Sequence, residues 1–364
     1  MKSSISFLFV IFILHLIVSA VSGSSGYYGN GQNNNHVDEE ETPKLDDDNA
    51  PTFPVEYLPA DLDAYNGLSS SYYHTSCPEA EAIIFQKMEE WSKKDETILP
   101  SILRLFFHDS VVRGCDGSIL LNHEGSERTA EASKTLRGFE VIDEIKKALE
   151  EKCPKTVSCA DILTAAARDA THLLKGPYWL VPYGRKDGKF SVAKEADDLV
   201  PMGHEIISSL LELFQSMGLN VLDLVVLQGA HTVGRATCGR IQDRIYNYNG
   251  TGEADKSIDK QFLNYLTRKC RWASEYVDLD PITPNKFDAI YFKNILDKNM
   301  GLLATDQALT SSISTLKLVS AFVNSPALFD YQFGASMTKL SKVNVLTGDE
   351  GEVRTNCNFV NSNH

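Results

Sequence analysis

Nine histidines are spread along the 364-residue chain, and two stand where an imidazole could do chemistry. His108 ends the apolar run Leu103-Arg104-Leu105-Phe106-Phe107-His108-Asp109. Arg104 lies four residues earlier, so on a helix both side chains leave from one face. A guanidinium beside an imidazole disfavours a second positive charge and keeps the ring neutral, ready to accept a proton. The same guanidinium can stabilise negative charge that develops on a leaving oxygen, while Phe106 and Phe107 exclude water. His231 lies in Leu227-Gln228-Gly229-Ala230-His231-Thr232-Val233-Gly234, on a loop after the apolar run Val225–Leu227. Glycines on both sides of it would let a flat cofactor come close to the backbone. Taken alone, either histidine also fits a packed structural position.

Each histidine has oxygen-bearing neighbours. Asp109, Gly114, Asp116 and Ser118 are spaced through a glycine-containing loop directly after His108. Carboxylates, a hydroxyl and turn carbonyls are hard oxygen donors suited to calcium. Thr232, Asp280, Thr283 and Asp288 offer a second such set beside His231. Both sets also read as ordinary Asx-rich turns.

Helices must position these groups. Apolar residues recur at helical spacing in Glu79–Trp91, Ile98–His108, Leu136–Leu149, Cys159–Leu174, Glu205–Met217 and Ala327–Leu340. Ser158, Thr283-Pro284 and Ser325-Pro326 read as helix starts. Strand patterns are confined to short pieces such as Tyr178–Tyr183, and no repeat of fixed period occurs. The expectation is one mostly α-helical domain over residues 67–364.

Two segments precede it. Lys2, an apolar run from Ile5 to Val18 and the small residues Val18-Ser19-Ala20 form the pattern of a secretory signal peptide over residues 1–20. The run is short for a bilayer and His15 interrupts it. No later segment is long and apolar enough to span a membrane, so a soluble secreted protein is expected. Residues 21–66 form a polar arm whose stretch from Ser24 to Asn66 holds ten acids against the single base Lys44. Little of it can be buried, and it reads as solvated and disordered. Thirty-five basic against 49 acidic residues give a net charge of −14, which argues against a nucleic-acid partner. The seven cysteines cannot all pair, and arithmetic alone leaves their connectivity open. No C-x-x-C occurs, which argues against structural zinc. Asn249-Gly250-Thr251 is a glycosylation sequon.

Taken together and in order, the motifs are recognisable. From about Leu68 to Asn361 the chain resembles the class III secretory plant haem peroxidases. The resemblance rests on Tyr72 to Pro78, Arg104-Leu105-Phe106-Phe107-His108-Asp109, Gly114-Cys115-Asp116-Gly117-Ser118, and Leu136-Arg137-Gly138-Phe139. It continues with Val157 to Ile162, Gly184-Arg185-Lys186-Asp187, Gly229-Ala230-His231-Thr232, Thr283-Pro284 to Asp288, and Thr305-Asp306-Gln307. Any one is weak, whereas nine in order are specific.

The resemblance implies an all-α fold of two helical lobes enclosing one haem b, with two calcium ions. It makes His108 the distal base, Arg104 its partner, and His231 the proximal iron ligand with Asp306 behind its other ring nitrogen. It implies one calcium on Asp109, Asp116, Ser118 and the carbonyls of Val112 and Gly114. The other would use Thr232, Asp280, Thr283, Asp288 and the carbonyl of Lys286. Pro201 matches the proline at the family's aromatic-substrate edge, and Phe107 would keep large donors from the reacting oxygen. The implied reaction reduces hydrogen peroxide and oxidises small phenols by one-electron steps, in a monomeric extracellular or cell-wall enzyme without nucleic-acid or membrane partners. The runner-up reading is a haem- and calcium-binding wall protein with little turnover, which would not need Arg104, His108, His231 and Asp306 together.

Three departures from the family pattern bear on rate. The resemblance pairs Cys77 with Cys153, Cys159 with Cys357 and Cys238 with Cys270, but the usual partner of Cys115 is here Ser110. Loss of that short clamp forgoes about 2 kcal/mol on the chain-entropy account and loosens the distal calcium loop. The segment Glu127 to Ser133 lacks the asparagine that orients the family's distal histidine, which leaves Ser133 or a backbone carbonyl as substitutes. Val233 stands where an aromatic residue usually follows the threonine.

Overall fold

The helix Ile98–Val112 is apolar on nearly every side, with Ile98, Leu99, Ile102, Leu103, Leu105, Phe106 and Val111 all buried. A helix without a polar face has to lie inside the protein, and this one packs chiefly on Cys159–Leu173. The second helix is rich in alanine, which allows close approach, and Ser158 caps it by accepting from the Asp161 amide at 3.1 Å. Helices Ala80–Lys94 and Phe139–Lys152 complete this packing.

The computed structural model describes residues 67–362, so the expected leader over 1–20 and the arm over 21–66 lie outside the described residues. Thirteen α-helices and one two-stranded sheet make up the described chain, which is the all-α class expected. Among the described residues, no single helix is long and apolar enough to cross a membrane.

The periodic segments are helical with small shifts at their ends. The expected Leu136–Leu149 helix starts instead at Phe139, because Gly138 adopts φ +103 and leaves no room for a side chain. A Cβ there would stand 2.5 Å from Ile102 Cδ1. Glu205 lies before its helix, which is Ile207–Ser216, and its carboxylate accepts from the amides of Met202, Gly203 and His204. Two readings are corrected. Among the described residues Tyr178–Tyr183 forms no strand and makes only the single bridge from Tyr183 to Ser69. The sheet is formed instead by Arg235–Thr237 antiparallel to Tyr276–Asp278. Thr283-Pro284 begins a turn rather than a helix, because Asp280 accepts from the Thr283 amide and hydroxyl; the helix there is Ile290–Asp297.

Long-range links tie the core together. Arg185 is fully buried against Asp161 at 2.8 Å, and Tyr73 Oη donates to the same carboxylate at 2.7 Å. Disulfides join Cys77 to Cys153, Cys159 to Cys357 and Cys238 to Cys270. Cys115 is free and buried, with its sulfur 3.2 Å from Ser110 Oγ and 3.1 Å from the Leu340 carbonyl. Burial pushes its thiol up to about 12, so it is an unreactive thiol in the folded chain. Alkylation without reduction should therefore leave the native protein unmodified and label Cys115 alone after denaturation. Labelling of Cys77 or Cys270, checked by peptide mass spectrometry, would contradict this pairing.

Candidate functional site

One cavity of about 500 Å³ brings the two singled-out histidines together. Arg104, Phe107 and His108 line it from the Ile98–Val112 helix, and Pro201 lines it from a loop. His231 enters from the helix Val221–Gln228, whose Asn220 and Asp223 form a capping box at its start. Where the sequence suggested a loop, a short 3₁₀ turn over Gly229–Thr232 continues that helix and carries the imidazole. Apolar walls come from Leu103, Phe106, Leu227, Val233 and Phe333. This size, with apolar walls and a few convergent polar groups, is that of a cofactor or small-molecule site.

His108 is buried, and burial followed by the charges of Arg104 and Arg240 holds its pKa well below the ordinary imidazole value of 6.5. The ring is therefore neutral at physiological pH and able to accept a proton. Arg104 opens onto the cavity yet stands within its walls. Desolvation, then the charge of Arg240, lowers its pKa to about 10, which still leaves it cationic at neutral pH. Its Nη1 donates to Thr135 Oγ1 at 2.9 Å and its Nη2 to the Ala132 carbonyl at 3.2 Å, which fixes the guanidinium beside His108. Neither expected substitute for the asparagine orients His108: its Nδ1 has no protein partner, and Ser133 Oγ is likewise buried and unpaired. Ser133 sits in the short 3₁₀ turn Glu131–Ser133 and makes no hydrogen bond to the ring. Glu127 in the same loop is fully buried, and burial raises its carboxyl to about 7.

On the other wall His231 Nδ1 lies 2.6 Å from Asp306 Oδ1. Asp306 is completely buried in the helix Ala304–Ala308 and accepts three further hydrogen bonds. They come from Tyr291 Oη at 3.0 Å, Gln228 Nε2 at 3.3 Å and the Leu303 amide at 2.8 Å. Burial alone would raise this carboxyl, but the His231 charge and the hydrogen bonds from His231, Leu303 and Gln228 bring it below the usual carboxylate range. With Nδ1 directed to Asp306, the remaining ring nitrogen of His231 is left to the cavity. A carboxylate-backed imidazole facing an apolar slot is the donor set of an axial haem ligand, so these residues fit that cofactor. Tyr291 and Gln228 had escaped the sequence reading, because nothing local marks a tyrosine or a glutamine as the partner of a distant aspartate.

The two oxygen sets also converge. Asp109 accepts from the Gly117 amide at 3.0 Å and the Ile119 amide at 3.3 Å, and Asp116 accepts from the Ser118 amide at 2.9 Å. Burial, with Asp116 and Glu127 nearby, raises Asp109 well above its ordinary value, and burial raises Asp116 as well. Ser118 Oγ is buried without a partner, and Val112 closes its helix, where terminal carbonyls are left open. Gly114 contributes a carbonyl in the same loop, which already accepts from Asp116 N at 2.8 Å. In the second set Thr283 Oγ1 lies 3.1 Å from Asp288 Oδ1 and 3.3 Å from Asp280 Oδ2, while Thr232 Oγ1 lies 3.4 Å from Asp288. Lys286 Nζ stands 3.4 Å from Asp288 Oδ2, and burial raises Asp280. Among the described residues no three His, Cys, Asp or Glu side chains converge on one metal-sized point. Each set instead mixes two carboxylates with hydroxyl and carbonyl oxygens, a mixture that calcium accepts.

Comparison with known proteins agrees with this geometry. Residues 84–325 match the family described as Peroxidase. Peroxidase 7 of Arabidopsis thaliana is 53% identical over 320 residues, covering 87% of this chain and 88% of its own. Peroxidase 25 of Arabidopsis thaliana is 44% identical, covering 81% of this chain and 92% of its own. The lignin-forming anionic peroxidase of Nicotiana tabacum is 41% identical, covering 81% and 93%.

Proposed function

This chain belongs to the peroxidase family, and from that premise we propose that it is a secreted class III enzyme oxidising small phenols. It is a haem peroxidase acting on hydrogen peroxide with a donor substrate, as family membership implies. The assignment of roles rests on one observation: a proton-accepting His108 with Arg104 and a carboxylate-backed His231 line the same cavity. Each turnover would convert one peroxide and two phenols into two waters and two phenoxyl radicals.

When bound, one haem b would supply an iron at which the O–O bond is broken and would give peroxide the two electrons that the phenols then replace one at a time. His231 would hold that iron through its free ring nitrogen, while Asp306 accepts the proton-bearing one. The neutral His108 takes the proton from the inner peroxide oxygen and returns it to the outer one. Arg104 stabilises the negative charge on the departing oxygen. Phe107 screens the reacting oxygen from bulky donors, and Pro201 borders the edge where phenols dock. The unpartnered Nδ1 of His108 favours a slower base than one held by an asparagine. The named lignin-forming relative supports a phenolic donor, and that relative is anionic as this chain is.

Two calcium ions would be held by the oxygen sets that adjoin the two histidines. Residues 1–20 would direct the chain to the extracellular space or cell wall. Asn249, exposed in a turn, would be the glycan site. The enzyme would act as a monomer without membrane or nucleic-acid partners.

His108→Leu in the haem-loaded full chain should slow peroxide cleavage by about 10²- to 10⁴-fold in stopped-flow absorbance, with haem retained. An unchanged rate would remove His108 from the mechanism. A calcium chelator should slow the same step before haem is lost, because His231 keeps its bond to Asp306 when its neighbouring ion leaves, whereas His108 has no such side-chain partner. Ser110→Cys should reduce that sensitivity by clamping the loop to Cys115, whose sulfur already lies 3.2 Å from Ser110 Oγ. A formed disulfide with unchanged chelator sensitivity would show that calcium does not hold this loop.

A further inference from the structure

The cavity carries more positive charge than cleavage of peroxide uses. Besides Arg104, it is lined by Arg137, Arg235 and Arg240, against only two carboxylates, Glu96 and Asp278, in a chain of net charge −14. Arg137 is neutralised by Asp95. Arg235 lies over the Tyr276 ring at 4.7 Å and stands opposite Asp278 in the two-stranded ladder. Arg240 has no such partner. It is exposed, and among the described residues no carboxylate pairs with it. Its one hydrogen bond runs from Nη2 to the Glu131 carbonyl at 3.4 Å. Its charge is nevertheless felt inside, where after burial it is a cause of the lowered pKa values of both Arg104 and His108. Apolar Pro201 and Met202 and the aromatic Tyr276 line the same cavity.

A group arriving from solvent therefore meets an uncompensated guanidinium beside surfaces suited to an aromatic ring. Guanidinium binds carboxylate through two parallel N–H donors, a geometry that a neutral ester cannot match. We infer that Arg240 is a specificity-determining residue that reads a carboxylate, so that the enzyme prefers phenols carrying one over neutral phenols of the same size. This rests on the phenol-oxidising reading above. The same chemistry would serve the carboxylates of the haem itself, and haem uptake by the variant separates the two.

The test uses 4-hydroxycinnamate and its methyl ester, which share the phenol and differ in the charge. In the haem-loaded full chain, the ratio of kcat/KM for the acid over the ester should fall about fivefold in Arg240→Gln, as expected for a partly exposed ion pair. Arg240→Lys should recover much of it, and the wild-type ratio should decline as salt is added. A ratio unchanged by Arg240→Gln would overturn the inference. So would weaker haem uptake by apo Arg240→Gln, titrated at the Soret band, with the ratio unchanged, since the guanidinium would then serve the haem. Failure of the wild type to oxidise either compound would instead strike the phenol reading.

Discussion

A carboxylate that is completely buried and has no lysine or arginine beside it must be satisfied by hydrogen bonds, and Asp306 imposes that constraint on this fold. Four donors meet it, from Gln228, His231, Leu303 and Tyr291. They lie in or beside three helices and the 3₁₀ turn that carries His231, so one charged group sets the relative positions of all four. Leaving such a charge unpaired costs about 3–5 kcal/mol, which is large against the marginal stability of a domain. The imidazole is thereby fixed in tautomer and direction, with its other nitrogen left to the cavity. Packing alone would centre the ring without choosing which nitrogen faces inward.

The opposite wall obeys a complementary constraint. His108 is buried and kept neutral, while Arg104 remains charged and is held by Thr135 and Ala132. A buried neutral proton acceptor and a cation held at the cavity wall therefore stand together. Both histidines are followed directly by a residue of an oxygen-rich set, Asp109 after His108 and Thr232 after His231. An ion at either set would brace the backbone that presents the adjoining imidazole. Arg240 adds charge at the solvent side of the same space, so arginines outnumber carboxylates along the cavity wall although the protein is acidic.

Much of this was legible in the sequence because it is local. The i, i+4 spacing of Arg104 and His108 survives as one helical face, and the Ser158 cap and the long periodic helices follow from short-range rules. Short helices were harder to see. Val221–Gln228 is apolar all round and Ala304–Ala308 spans barely a turn, so neither shows a helical period. The convergence on Asp306 was legible only where a motif named Asp306 as the partner of His231. Tyr291 and Gln228 join it through tertiary packing that no spacing rule encodes. Whether Ser133 or a carbonyl orients His108 stayed open in the sequence, since hydroxyl reach depends on tertiary placement that no spacing rule states. Arg240 carried no signal either, because its importance lies in the lack of a nearby acid.

The central claim is that Asp306 makes His231 a more electron-donating ligand and so favours oxidised iron. The midpoint potential of the ferric/ferrous couple in the haem-loaded full chain, compared with Asp306→Asn, tests this directly. Asparagine keeps the size of the side chain but removes the negative charge that polarises the imidazole. The potential should rise in the variant while haem remains bound. An unchanged potential, with His231 still ligating, would contradict the account.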